Sequence, residues 1–106
     1  MTDKVAQYTL TFSVPEDHPS YAGHFPGNPL VPGALLLRWI IELLKQESFA
    51  VHLIKQCKFL HIVKPGDQLQ LQVTANNGSL TVEIFCANTP VAKAQCLYHQ
   101  TDAHHA

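Results

Sequence analysis

Along residues 7–14, QYTLTFSV, the apolar Tyr8, Leu10, Phe12 and Val14 alternate with polar positions, and a period of two predicts a half-buried strand. The pattern then breaks. Residues 15–33 hold five of the seven prolines and three of the five glycines, and a connection this long in so short a chain points to a functional loop. From Ala34 to about Glu47 nearly every position is apolar. The exceptions Arg38, Glu42, Lys45 and Gln46 stand at i, i+4, i+7 and i+8, a narrow polar stripe on an otherwise apolar cylinder. This spacing predicts a helix buried nearly all round. Pro32 opens it, because a fixed φ suits a first turn and the missing N–H would have no partner there.

The second half supplies the wrapper. Residues 50–63 are rich in strand formers, and KPGD at 64–67 predicts a tight turn with Gly66 free to take positive φ. Leu69, Leu71 and Val73 alternate with Gln68, Gln70 and Gln72, and NNGS at 76–79 is a hairpin signal through Asn77-Gly78. Leu80, Val82 and Ile84 alternate again, ANTP turns at 87–90, and residues 91–100 read as a last strand. With no linker or repeat, residues 1–106 form one domain, expected to end in a frayed polar tail over 98–106. The order of strand, long loop, helix and about four antiparallel strands is that of an α+β domain whose curled sheet wraps one long central helix.

A chain of 106 residues supports one core. At 46% apolar and only 14% charged, it is poor in charge for a wetted monomer, and a homodimer is expected. A net charge of −1 gives no footing for nucleic acid or an anionic membrane surface. The longest apolar run, Leu30 to Leu37, is interrupted by Pro32 and Gly33 and is too short to span a bilayer. The opening MTDKVAQYTL carries no signal-peptide apolar segment, so the expected location is cytoplasmic. Cys57, Cys86 and Cys96 lack metal or redox spacing and read as reduced core residues. His99, His104 and His105 cluster near the end without carboxylate or thiol partners at ligand spacing, and no metal site is expected there.

One string remains: GHFPGNPLVPGALL, with His24 near its start. It resembles the signature loop of the hotdog-fold β-hydroxyacyl-[acyl carrier protein] dehydratases, through H-F-P-G-x-P-x-x-P-G from His24 to Gly33. CKFLHIVKPGDQLQLQV, Cys57 to Val73, is similar to the family's phenylalanine strand, its proline-glycine-aspartate turn and the strand that follows. The resemblance covers about residues 8–100. It implies a hotdog fold, dimers that join sheets edge to edge, and dehydration of a 3-hydroxyacyl thioester carried by acyl carrier protein or coenzyme A, with no cofactor. It assigns His24 as the base that takes the α-proton, and imidazole suits that role because it exchanges protons near neutral pH. It assigns the Gly33 N–H, at a helix N-terminus, as donor to the enolate oxygen. Phe25, Pro32 and Trp39 flank these groups as candidates for the acyl-binding wall. Trp39 reads equally as core packing, and an aromatic there is loosely similar to relatives from aryl-polyene and pigment pathways.

The pattern departs from the family at one position. The dehydratases carry an aspartate or glutamate fourteen residues after the histidine, contributed across the dimer, and here that residue is Arg38. Arginine does not give up a proton at neutral pH, although it can hydrogen-bond a leaving oxygen and keep a nearby imidazole neutral. Three readings follow. His24 acts as sole acid and base with Arg38 polarising the substrate; or Glu42, one turn on, supplies the carboxylate; or the acid is lost and the chain binds acyl thioesters as a partner subunit. An i,i+4 contact on a solvated stripe is the plain alternative for Arg38 and Glu42. A thioesterase on the same fold is the rival enzyme.

Overall fold

The computed structural model describes residues 5–21 and 30–101, and the following concerns these. Strand β1 (Val5–Ser13) leads to a single 3-10 turn (Pro19–Tyr21). Helix α1 (Gly33–Gln46) follows, and then β2 (Phe49–Phe59), β3 (Gln68–Asn76), β4 (Ser79–Cys86) and β5 (Thr89–Gln100). The strands form one antiparallel sheet in the order β1-β3-β4-β5-β2. One helix lies on one sheet, the hotdog arrangement expected of the pattern.

Turn chemistry sets the hairpins. Asn77 and Gly78 both have positive φ, at 48° and 86°, which matches the right-handed twist of the β3–β4 pair. Ala87 and Asn88, at 49° and 69°, make the equivalent reversal into β5 without a glycine. In the turn before β3, Gly66 has φ 86°, and the Lys64 N–H donates to Asp67 Oδ2 at 2.8 Å.

The period of two holds on the central strands. Leu69, Leu71, Val73 and Ala75 are buried while Gln68, Gln70 and Gln72 face solvent. The register sets Leu71 between Leu10 and Ile84, and Val82 between Val73 and Ala94. Onto this face the helix lays Leu36, Ile40 and Leu44, spaced four apart along one side. Each such side chain stabilises the fold by roughly 1.5–3 kcal/mol on burial.

Three expectations need correction. The helix is not buried nearly all round, because one sheet covers only one side of a cylinder. Leu36, Ile40 and Leu44 are its buried residues, Leu35, Leu37, Ile41 and Leu43 are half-buried, and the polar stripe is exposed as predicted. The edge strand β2 ends at Phe59 rather than running to residue 63, and it carries two extra residues, His52 and Lys55, relative to β5. These bulges break its alternation and leave Leu53 at the surface. Residues 98–100 are not frayed. The Tyr98 N–H donates to Gly78 O, its ring packs edge-on against Phe49, and His99 stacks on His52 at 5.6 Å. His104 and His105 lie outside the described residues. The three cysteines are free; Cys96 is buried in the core, and Cys57 and Cys86 are half-buried against it.

Candidate active site

At the start of α1 the chain forms a cleft of about 340 Å³. One wall is Leu30, Val31, Gly33 and Leu36; the other is the segment from Phe59 to Val63, where β2 leaves the sheet. The walls are tied by the Val31 N–H, which donates to Val63 O at 2.8 Å, and the second is held to β5 by Leu60 and His61, whose N–H groups share Val91 O.

The floor of the cleft is electrostatically open. Pro32 is the N-cap, with φ −58° as expected but an extended ψ of 140°, so the helix begins at Gly33. The first intrahelical bond runs from the Leu36 N–H to Pro32 O at 3.0 Å, which leaves the preceding first-turn N–H groups without intrahelical acceptors. Among the described residues no side chain caps this end, and no acidic residue stands in its first turn. The positive end of the helix dipole therefore reaches the cleft with no described anionic side chain against it, where an oxygen bearing developing charge could accept from it.

Gly33 and Pro32 thus stand where the sequence expected them, at the helix start, with Gly33 in the cleft wall. His24 and Phe25 lie outside the described residues. The positions on either side of residues 22–29 are fixed. Before them, Tyr21 donates from its hydroxyl to Pro15 O at 2.8 Å, and His18 packs against both Tyr21 and Trp39. After them, Val31 is tied to Val63.

The remaining candidates stand elsewhere. Trp39 is half-buried between Phe12, at 5.7 Å between ring centroids, and His18, at 5.4 Å; it is not part of the cleft wall. Arg38 and Glu42 are exposed. At 3.6 residues per turn each lies about 160° around the helix from Ile40, which faces the sheet, so both point away from the cleft of their own chain. Of the described residues that line the cleft, sequence reasoning named only Gly33 as a site residue; it missed Leu30, Val31 and Leu36 on the helix side and the whole of Phe59 to Val63 opposite. The signal for His61 was a lone imidazole in the apolar run FLHIV, beside the phenylalanine of the recognised strand.

Among the described residues no helix is long and apolar enough to cross a membrane, and no group of three or more His, Cys, Asp and Glu is placed to hold a metal ion. A family model described as ApeI-like, ApeI dehydratase, matches residues 1–95. The 3-hydroxyacyl-[acyl-carrier-protein] dehydratase FabZ of Lactiplantibacillus plantarum is 39% identical over 74 residues, 60% of this chain and 50% of that protein. FabZ of Chlamydia trachomatis serovar L2 is 30% identical over 119 aligned positions, covering 90% of this chain and 78% of the relative. The chain spans about half the length of the curated relatives that it matches at highest identity. Among solved structures, the dehydratase heterocomplex ApeI:P from Xenorhabdus doucetiae superposes with a TM-score of 0.69 at 19% identity, covering 89% of this chain and 88% of that one. At that identity the likeness speaks for the fold.

Proposed function

Because the chain belongs to the ApeI-like dehydratase family, we propose that it removes water from a 3-hydroxyacyl thioester to give the trans-2-enoyl thioester. The observation that carries this reading is the apolar cleft at the uncapped start of α1, with Gly33 in its wall. An acyl chain fits such a lining, and the thioester oxygen can be brought to the Gly33 N–H as it gains enolate charge. Glycine matters here because a Cβ would press on the Phe59 ring that forms the opposite wall of the cleft.

The motif supplies the rest by resemblance. His24 takes the α-proton, electrons move onto the thioester oxygen, and their return forms the double bond as the hydroxyl leaves with a proton. Phe25 and Pro32 bound the loop side of the acyl site. The chemistry calls on side chains and backbone alone. The acyl group is carried by acyl carrier protein or coenzyme A, and the setting is cytoplasmic.

A homodimer is part of this reading. It is supported by the half-buried apolar positions of α1 and by the exposure of Leu53, Phe59, Leu60 and Ile62 on and beside the edge strand, at 48–63%. Arg38 and Glu42 turn away from their own cleft, so their route to a substrate is through a partner's cleft. Arg38 would there hydrogen-bond the departing oxygen. The arginine also favours a second reading, in which the chain pairs with a different dehydratase subunit that brings the carboxylate. The ApeI:P protein of Xenorhabdus doucetiae, which shares this fold, is itself a dehydratase heterocomplex.

The test is turnover of a 3-hydroxyacyl thioester by the purified chain, with and without His24→Ala. The substitution is expected to cost about 10²–10⁴-fold. Wild-type rate in the variant would remove His24 from the chemistry. Release of free thiol in place of enoyl product would make the protein a thioesterase. Sedimentation as an 11.8 kDa monomer would end the shared-site model.

A further inference from the structure

Spacing along the chain gave His99 no carboxylate or thiol partner, but the sheet gives it a second imidazole. The ring of His99, on β5, stacks on that of His52, on β2, with centroids 5.6 Å apart and planes 25° from parallel.

The register explains the pair. Phe49 is in the core and Tyr98 packs on it, so by the period of two Ala50 and His99 stand on the sheet's other face, away from the helix. Ala50 is the residue opposite His99, and His52 lies two residues further along β2. Such a diagonal pair is within reach of ring-sized side chains. His52 is also the extra residue of the first β2 bulge, set between Val51, opposite Tyr98, and Leu53, opposite Leu97. A bulge re-aims the side chain it carries, and here that side chain meets His99.

The backbone around His99 is fixed on both sides. The Tyr98 N–H donates to Gly78 O, and the Thr101 N–H donates to Ser48 O, each at 2.9 Å. Both imidazoles are exposed. They are separate from the cleft, whose residue on this strand is Phe59, at the far end of β2 and roughly 20 Å along it.

We propose that His52 and His99 form a two-imidazole site for one divalent late-transition-metal ion, of the Cu²⁺ or Zn²⁺ class. Neutral imidazole is the commonest side-chain ligand of such ions. With metal–nitrogen bonds of about 2.0–2.1 Å and a tetrahedral angle, two bound imidazoles have their centroids about 5 Å apart. The observed 5.6 Å is close to this, so binding needs rotation of the rings about χ2, a soft torsion, and little movement of the backbone. Each ring gives the ion one nitrogen lone pair and keeps a proton on its other nitrogen. Water fills the remaining positions, since no third His, Cys, Asp or Glu among the described residues completes a group there. The ion ties the bulged part of the edge strand to β5, and its binding stabilises the fold by mass action.

The test is calorimetric titration with Cu²⁺, the tighter-binding ion of the two, and with Zn²⁺ in parallel. It is run on the full-length chain carrying His104→Ala and His105→Ala, so that those two histidines do not enter the count. One ion per chain is expected. His52→Ala and His99→Ala should each weaken binding by about 10²-fold, and the two together little further, because a chelate is lost with either ligand. Electron paramagnetic resonance of the Cu²⁺ complex should show two coupled imidazole nitrogens. Added ion should raise the unfolding midpoint, and should fail to do so in either single variant. Without ion the midpoints should stay put, because both side chains are exposed. Full-strength binding after His52→Ala would overturn the site, and so would the absence of Cu²⁺ binding once His104 and His105 are replaced. Either result leaves the dehydratase reading as it stands.

Discussion

The ring of Phe59 lies so close to Gly33 that a Cβ on the glycine would sit 3.0 Å from its Cε2 and Cζ atoms. One residue ends the edge strand and the other begins the helix, so this contact joins the two walls of the cleft at its floor. The ring is 48% exposed and can yield by a few tenths of an ångström. The missing side chain therefore lets the Phe59 ring close on the helix start, at a backbone that would accept a Cβ.

Gly33→Ala should separate folding from activity. The residue opens a helix and is not among the positive-φ positions, so alanine fits the backbone and reduces the number of unfolded conformations, a gain of about 0.4–1 kcal/mol that offsets the pressure on Phe59. Unfolding free energy should change by less than about 1 kcal/mol. The new methyl presses on the Phe59 ring in the opposite wall of the cleft; where this moves the thioester off the Gly33 N–H, kcat/KM should fall by roughly 10²-fold, the scale of losing one oxyanion donor. Unchanged kcat/KM in a folded variant would take the Gly33 N–H out of the reaction.

Trp39 makes the opposite prediction. Its contacts run to Phe12 and His18, on the side of the helix that holds the segment leading to residue 21. Trp39→Ala should cost about 2–4 kcal/mol, somewhat below a fully buried tryptophan, while Trp39→Phe keeps part of the aromatic packing and costs less. Urea titration measures both. If stability held and the preference for acyl chain length shifted instead, Trp39 would be part of the acyl wall after all.

The fold was legible wherever local chemistry and tertiary demand agree. On β3 the glutamines and leucines alternate because one face meets the helix and the other meets water, and Asn77-Gly78 turns because those residues tolerate positive φ. Legibility failed where a residue's partner is distant in sequence. The apolar count of α1 suggested full enclosure, but burial is set by how many sides the sheet can reach, and that is one. Nothing in FLHIV announces that β2 stops at Phe59, because the bulges at His52 and Lys55 arise from pairing with β5. The same break hid His61, which becomes notable only when residues 59–63 swing across from Gly33.

Alkaline pH should destabilise the fold through its thiols. Burial raises the Cys96 thiol above its ordinary value and the nearby Cys57 adds to this; burial raises Cys57 as well. An acid whose folded pKa is raised is neutral in the native state and ionises more readily in the unfolded chain. Its contribution is complete below the ordinary thiol value and is lost as pH rises through the folded value. Denaturant midpoints should therefore decline above about pH 8.5–9, and Cys96→Ala should decline less steeply from a lower starting stability. Equal slopes in the two proteins would assign the alkaline loss to other groups, of which Tyr21, raised by burial and then by Asp17, is the first to examine.

Arg38 is the residue that decides between catalyst and partner subunit. It stands fourteen residues after His24, where the resemblance to the dehydratases leads one to expect an acid, and it is exposed, about 160° around α1 from the side that packs on the sheet. If it is only the remnant of a lost acid, Arg38→Glu should create or raise dehydration, because the motif histidine, the Gly33 N–H and the helix geometry are already present. If instead it holds or polarises the leaving hydroxyl in a partner's cleft, the same change replaces a donor by an anion facing developing negative charge. The loss in kcat/KM should then be roughly 10²-fold or more. Glu42→Gln, measured in parallel, isolates the neighbouring carboxylate: a loss as large as that of His24→Ala would make Glu42 the acid, and a small one leaves it on a solvated stripe with Arg38, worth a few tenths of a kcal/mol. We expect a fall for Arg38→Glu and a mild effect for Glu42→Gln. A gain for Arg38→Glu over an inactive wild type would make this chain a binding subunit whose chemistry is completed by another.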